Sequence, residues 1–150
     1  MMNSMKLNQK STKATFIVLA LLMLLPIVLF FPNQTYAVGN VSDTSFYVSN
    51  ANGNQTSIRG KWDYTSSYMK NTAIMTGTRY NAVSVGRMSA LPGENWNSYG
   101  APSYTFTSGT TRYMINYVKE NGCGYCSILT NSVPGYGSYT ASGWWSPDSV

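Results

Sequence analysis

The chain contains no histidine. That absence excludes more than any motif present implies. Ser-His-Asp and Cys-His arrangements are ruled out, because the group that accepts the nucleophile's proton is missing. A closed four-ligand zinc site within one chain is not expected either, with two cysteines and no histidine to build it. Charge is scarce as well, at 10% of residues, with only five acids. A carboxylate-pair hydrolase stays formally open. Asp63, Glu94 and Glu120 are far apart in sequence, however, and read as ordinary surface or turn residues.

The N-terminus carries a different signal. Lys6, Lys10 and Lys13 precede an apolar run of 18 residues, from Ala14 to Phe31, and a polar stretch ends in Thr35-Tyr36-Ala37. Positive region, apolar region and small residues in that order predict a secretory signal peptide over 1–37, cleaved after Ala37. Pro26 interrupts the run and Pro32 ends it, which weakens a continuous membrane helix. If uncleaved, the segment would be the chain's sole membrane contact. Either way the lysines keep the N-terminus inside and place residues 38–150 outside the cytoplasm. The lysine-rich leader has the style of a Gram-positive secretion signal.

Those three lysines also account for much of the apparent basicity. The formal charge is +5 for the whole chain and +2 for 38–150. Such a balance, without clustered basic residues, gives no case for nucleic-acid binding. The remainder is rich in Ser, Thr, Asn, Gly and Tyr and poor in helix formers, with four tryptophans throughout. The aromatic content argues for a folded domain rather than disorder. Residues 38–150 are therefore expected to form one all-β domain.

The periodicity agrees. Thr44 to Ser49 alternates, with Phe46 and Val48 on one face and Ser45, Tyr47 and Ser49 on the other. Asn50–Asn54 reads as a turn, because Asn52-Gly53 supplies positive φ. It lacks the carboxylates that a calcium loop would need. Further strands are expected at 57–64, 78–88, 103–107, 111–119, 125–130 and 138–145, with 66–76 ambiguous but anchored in the core by Tyr68 and Met69; a short helix capped by Asn121-Gly122 is the alternative at 111–119, where the alternation of Tyr113, Ile115 and Tyr117 favours strand. Glu120-Asn121-Gly122 should close a hairpin between the strands at 111–119 and 125–130. Short strands punctuated by turns predict a single antiparallel β-sandwich, jelly-roll or immunoglobulin-like, after an N-terminal signal helix.

Two features carry candidate chemistry. Cys123-Gly124-Tyr125-Cys126 has the spacing of a thiol redox centre, but the stretch after it, Ser127 to Asn131, is too short and too β-branched for the helix such a centre requires. A structural disulfide between Cys123 and Cys126 is the preferred expectation in an oxidising compartment, with free or intermolecular thiols the second reading. Three residues of straight strand span about 10 Å, beyond the reach of a disulfide, so the bridge demands a tight turn at 123–126. The other feature is aromatic. Trp96 and Tyr99 lie in the longest loop, and Trp144 and Trp145 in the last strand. These four are the expected binding residues, a platform for a glycan or another flat amphipathic ligand. Adjacent strand residues point to opposite faces, so one of Trp144 and Trp145 should be core.

Tyr117-Val118-Lys119-Glu120-Asn121-Gly122, Ser142-Gly143-Trp144-Trp145-Ser146-Pro147-Asp148-Ser149 and Tyr68-Met69-Lys70 together resemble a group of small secreted Gram-positive proteins known as domain of unknown function 2712. The resemblance implies secretion and a β-rich fold, and no activity. A looser likeness runs to the lactococcin-type bacteriocins, short secreted β-sandwich proteins that act on cell-wall synthesis. This chain is longer, has cysteines and lacks histidine. The expected function is that of a secreted, non-catalytic protein binding a cell-envelope component or a protein partner, with no cofactor and no metal. A self-assembling surface protein, or a thiol oxidoreductase or carboxylate hydrolase, are the alternatives.

Overall fold

The computed structural model describes residues 39–149. The expected signal segment, 1–37, lies outside them. Eight strands form: β1 Thr44–Ser49, β2 Arg59–Gly60, β3 Ser67–Thr76, β4 Tyr80–Arg87, β5 Tyr104–Phe106, β6 Thr111–Met114, β7 Tyr125–Ser132 and β8 Thr140–Ser146. They make two four-stranded antiparallel sheets, ordered β1-β8-β3-β6 and β2-β7-β4-β5. The all-β antiparallel sandwich is what forms, and no helix occurs among the described residues.

Alternation decides which side chains enter the core. Phe46 and Val48 of β1 and Met69 of β3 point inward with Trp145 of β8. Tyr80 and Ala82 of β4, Phe106 of β5 and Ile128 of β7 meet them from the other sheet. Tyr80 stacks on Phe106 at 5.5 Å and on Tyr139 at 5.0 Å between ring centroids. Buried phenols need partners. Tyr80 donates to Asn71 Oδ1 at 3.2 Å, and Tyr139 to Thr130 Oγ1 at 2.7 Å.

Gly143 explains how β8 fits between its neighbours. A Cβ there would collide with the Lys70 carbonyl and press on the Phe46 ring, so only glycine allows β3 this close.

Several local expectations are corrected. The segment 57–64 contributes only the two residues of β2. Tyr68 is half-buried on the outer face, not in the core, because it stands two residues from Lys70 and one from the buried Met69. β6 stops at Met114 and does not form a hairpin with β7. Instead β6 pairs with β3 and β7 with β4, so the chain between them crosses from one sheet to the other. Met114, Asn116 and Val118 point inward along that crossing, while Tyr113, Ile115 and Tyr117 face solvent. The turn at 117–122 closes through Asn121 N to Tyr117 O and Gly122 N to Lys119 O.

Candidate functional site

The outer face of the β1-β8-β3-β6 sheet carries the most distinctive surface. Residues directly opposite in an antiparallel pair share a face. Trp144 stands opposite Ser45 on one side and Lys70 on the other. Tyr68 stands opposite Ser146 and Tyr113. Tyr47 is two residues along from Ser45 and therefore on the same face. In register these place Tyr47 of β1, Trp144 of β8 and Tyr68 of β3 on one diagonal, with Tyr113 of β6 directly across from Tyr68 at its end. Diagonal neighbours are about 7–8 Å apart, within reach of aromatic side chains. Tyr47, Trp144 and Tyr113 are 61%, 47% and 58% exposed. The Tyr68 and Tyr113 rings lie 5.6 Å apart at 52°.

The diagonal ends in a cavity of about 250 Å³, lined by Val41, Asp43, Tyr68, Tyr113, Ser146, Asp148 and Ser149. Burial, then the charge of Asp43 and the neighbouring Tyr113, hold the Tyr68 phenol above its ordinary pKa. It therefore stays a hydrogen-bond donor.

Beneath the cavity lies an ionic cluster. Lys61 and Asp148 are both fully buried, with Nζ 2.5 Å from Oδ1. Lys61 also donates to Thr65 O at 2.5 Å and to Asp63 Oδ1 at 3.5 Å. Asp148 Oδ2 accepts from the backbone of Asn40 at 2.6 Å and of Trp62 at 3.0 Å. Asp63 Oδ1 accepts from Thr65 N at 2.8 Å and Thr65 Oγ1 at 2.6 Å. Burial pushes the Asp63 carboxyl up, but the Thr65 hydrogen bonds, a hydrogen bond with Asp148 and the Lys61 ammonium outweigh it and hold it below the ordinary value. Asp63 is thus a buried network member, correcting its reading as an ordinary surface or turn residue.

The four expected binding residues separate. Trp144 is exposed on the aromatic diagonal. Trp145 is fully buried and presents no ring face to a ligand. Trp96 and Tyr99 belong to the other sheet, on a loop tied to β4 by paired backbone bonds between Gly86 and Asn97 at 2.9 and 3.1 Å. The Arg87 guanidinium covers the Trp96 ring at 4.5 Å. Tyr99 adopts a positive φ of 52°, and its hydroxyl meets Cys123 Sγ at 3.0 Å. Tyr113 is a surface residue that the sequence expectation passed over, and Tyr68 one that it placed in the core. Strict alternation around Met69 and Met114 was the available signal.

The expected disulfide does not appear in this structure. Cys123 and Cys126 are free, buried thiols. The turn ends before Cys123, and Gly124 takes no positive φ, so the tight turn a bridge requires is not there. Cys123 faces Tyr99, whereas Cys126 Sγ lies 3.6 Å from Ser67 Oγ. Burial pushes the Cys126 thiol up to about 11. The segment leads into strand β7, not into the helix of a redox centre.

The profile of one family, described as protein of unknown function DUF2712, matches residues 33–149. The chain belongs to that family. No curated protein and no solved structure matches it. DUF2712 membership thus spans the whole sandwich, including the aromatic diagonal and the Lys61–Asp148 cluster, and brings no chemistry of its own.

Proposed function

We propose that the chain is a secreted, non-catalytic protein that binds a cell-envelope glycan on the outer face of the β1-β8-β3-β6 sheet. The row of Tyr47, Trp144, Tyr68 and Tyr113 carries this reading. Neighbouring strands lie about 4.8 Å apart, so the row spans roughly 14 Å across the sheet and more along the diagonal. That suits an extended polymer better than a single small molecule. Rings with apolar faces and polar edges suit sugars, which offer both C–H faces and hydroxyls. Ser45, Lys70 and Ser142 flank the row with donors and acceptors. Rigid tyrosine and tryptophan side chains give contact area at low entropic cost.

Co-sedimentation with isolated cell walls and with intact cells, counting survivors, tests the reading. Wild type should pellet with walls, and Trp144→Ala and Tyr68→Ala should bind about tenfold more weakly, near 1.4 kcal/mol each. Trp96→Ala, altering the other sheet, should bind like wild type. Loss of viability would favour the bacteriocin-like form of the same function. Absence of pelleting, or binding lost only in Trp96→Ala, would overturn the assignment.

A further inference from the structure

We propose that Lys61 and Asp148 condense into an intramolecular isopeptide bond, an amide between Lys61 Nζ and Asp148 Cγ. This is independent of what the outer face binds. Four observations converge on it. The amine and the carboxyl are already in contact, 2.5 Å from Nζ to Oδ1, with both side chains fully buried. Holding two reactants in place removes most of the entropic barrier to joining them. The second oxygen of Asp148 accepts two backbone N–H groups, Asn40 at 2.6 Å and Trp62 at 3.0 Å. Such a pair stabilises the oxyanion of a tetrahedral intermediate. Asp63 supplies a proton acceptor, with Oδ1 3.5 Å from Nζ. Finally, the site is closed over. A Cβ on Gly39 would collide with Asp63 Oδ2 and press on Asp148 Cβ, so the chain at 39–40 packs directly onto both carboxyls.

Burial also supplies the driving force. An ion pair out of water is costly, and so is a second carboxylate beside it. Crowded carboxyls favour one of them holding a proton. With Asp148 as the acid, the Lys61 ammonium passes a proton to the Asp63 carboxylate. The amine lone pair then forms the N–Cγ bond, and the carbonyl electron pair moves to Oδ2. Asp63 gives its proton to the Oδ1 hydroxyl and takes one from nitrogen. The C–Oδ1 bond breaks, and one water leaves. Net charge is unchanged, and no oxidant or co-reactant is consumed. The product ties the residue after β2 to the residues after β8, closing a covalent loop around most of the sandwich.

Intact-mass and tandem mass spectrometry of the protein purified from cells expressing the full chain tests this. The expected mass is one water below that of its sequence, with a branched peptide joining the fragments around residues 61 and 148. Lys61→Met and Asp148→Ala should return to full mass. Asp63→Asn, which can no longer take the proton, should remain largely uncondensed. Wild type at full mass, with Lys61 and Asp148 in separate linear peptides, would overturn the proposal even if the variants fail to fold. A water loss mapped elsewhere, such as a cyclised aspartate, would overturn it equally.

Discussion

Lys61 Nζ and Asp148 Oδ1, 87 residues apart in sequence, lie 2.5 Å from each other inside the sandwich, with no solvent on either side chain. Removing one partner strands the other's charge in a dry site. Lys61→Met should therefore destabilise the fold by about 3–5 kcal/mol, read as a lower urea midpoint. With the amide formed, the loss is larger, because the link also restricts the unfolded chain. A variant as stable as wild type would show that the pair contributes nothing net.

In the uncondensed protein, acid should weaken the fold through Asp63. Its folded pKa lies below the ordinary 3.8. Between those values the unfolded state binds more protons, so stability present above 3.8 is lost as pH falls through the folded value. Thr65 donates two of the hydrogen bonds responsible. Thr65→Val should bring Asp63 closer to its ordinary value and flatten the acid decline. Urea midpoints at neutral and acidic pH measure the difference, and parallel declines in both proteins would remove Asp63 as the cause.

The adjacent tryptophans should behave oppositely. Trp145 is fully buried, so Trp145→Ala should cost about 3–5 kcal/mol. Trp144 stands half in solvent on the outer face. Its replacement by Ala should leave the denaturation midpoint near that of wild type. Equal losses in both variants would mean that the outer face carries structural weight, and a binding defect could not then be assigned to contact.

Neither thiol should react in the native protein. Cys123 and Cys126 are buried, and Cys126 is held protonated by a pKa raised to about 11. The thiolate is the reactive form. Iodoacetamide at mildly alkaline pH should label neither cysteine until denaturant is added, and both afterwards. Labelling of neither even when unfolded would reveal a disulfide.

Much of the sandwich was legible in local pattern. Thr44–Ser49 alternates in sequence and in burial, and Asn52-Gly53 turns where Gly53 takes a φ of 118°. At β4 the pattern was silent, since Tyr80, Ala82 and Ser84 are no more apolar as a set than Asn81, Val83 and Val85. The structure buries all of the first set and only Val85 of the second, and Tyr80 finds rings on both sides and Asn71 for its hydroxyl. The hairpin at 120–122 misled for a related reason. A turn signal marks a reversal but not which sheet the next strand joins.

Sequence by itself determined the strand-forming character of the chain, its turns, and the absence of histidine-based chemistry, because these depend on residue type and on neighbours a few positions away. Tertiary structure alone decided that four aromatics on four strands line up across one sheet, that Cys123 meets Tyr99 while Cys126 meets Ser67, and that Lys61 meets Asp148. Each of those depends on strand pairing and register between distant segments. The energy that fixes them comes from burying one face of each sheet against the other, and it is not written at any single position.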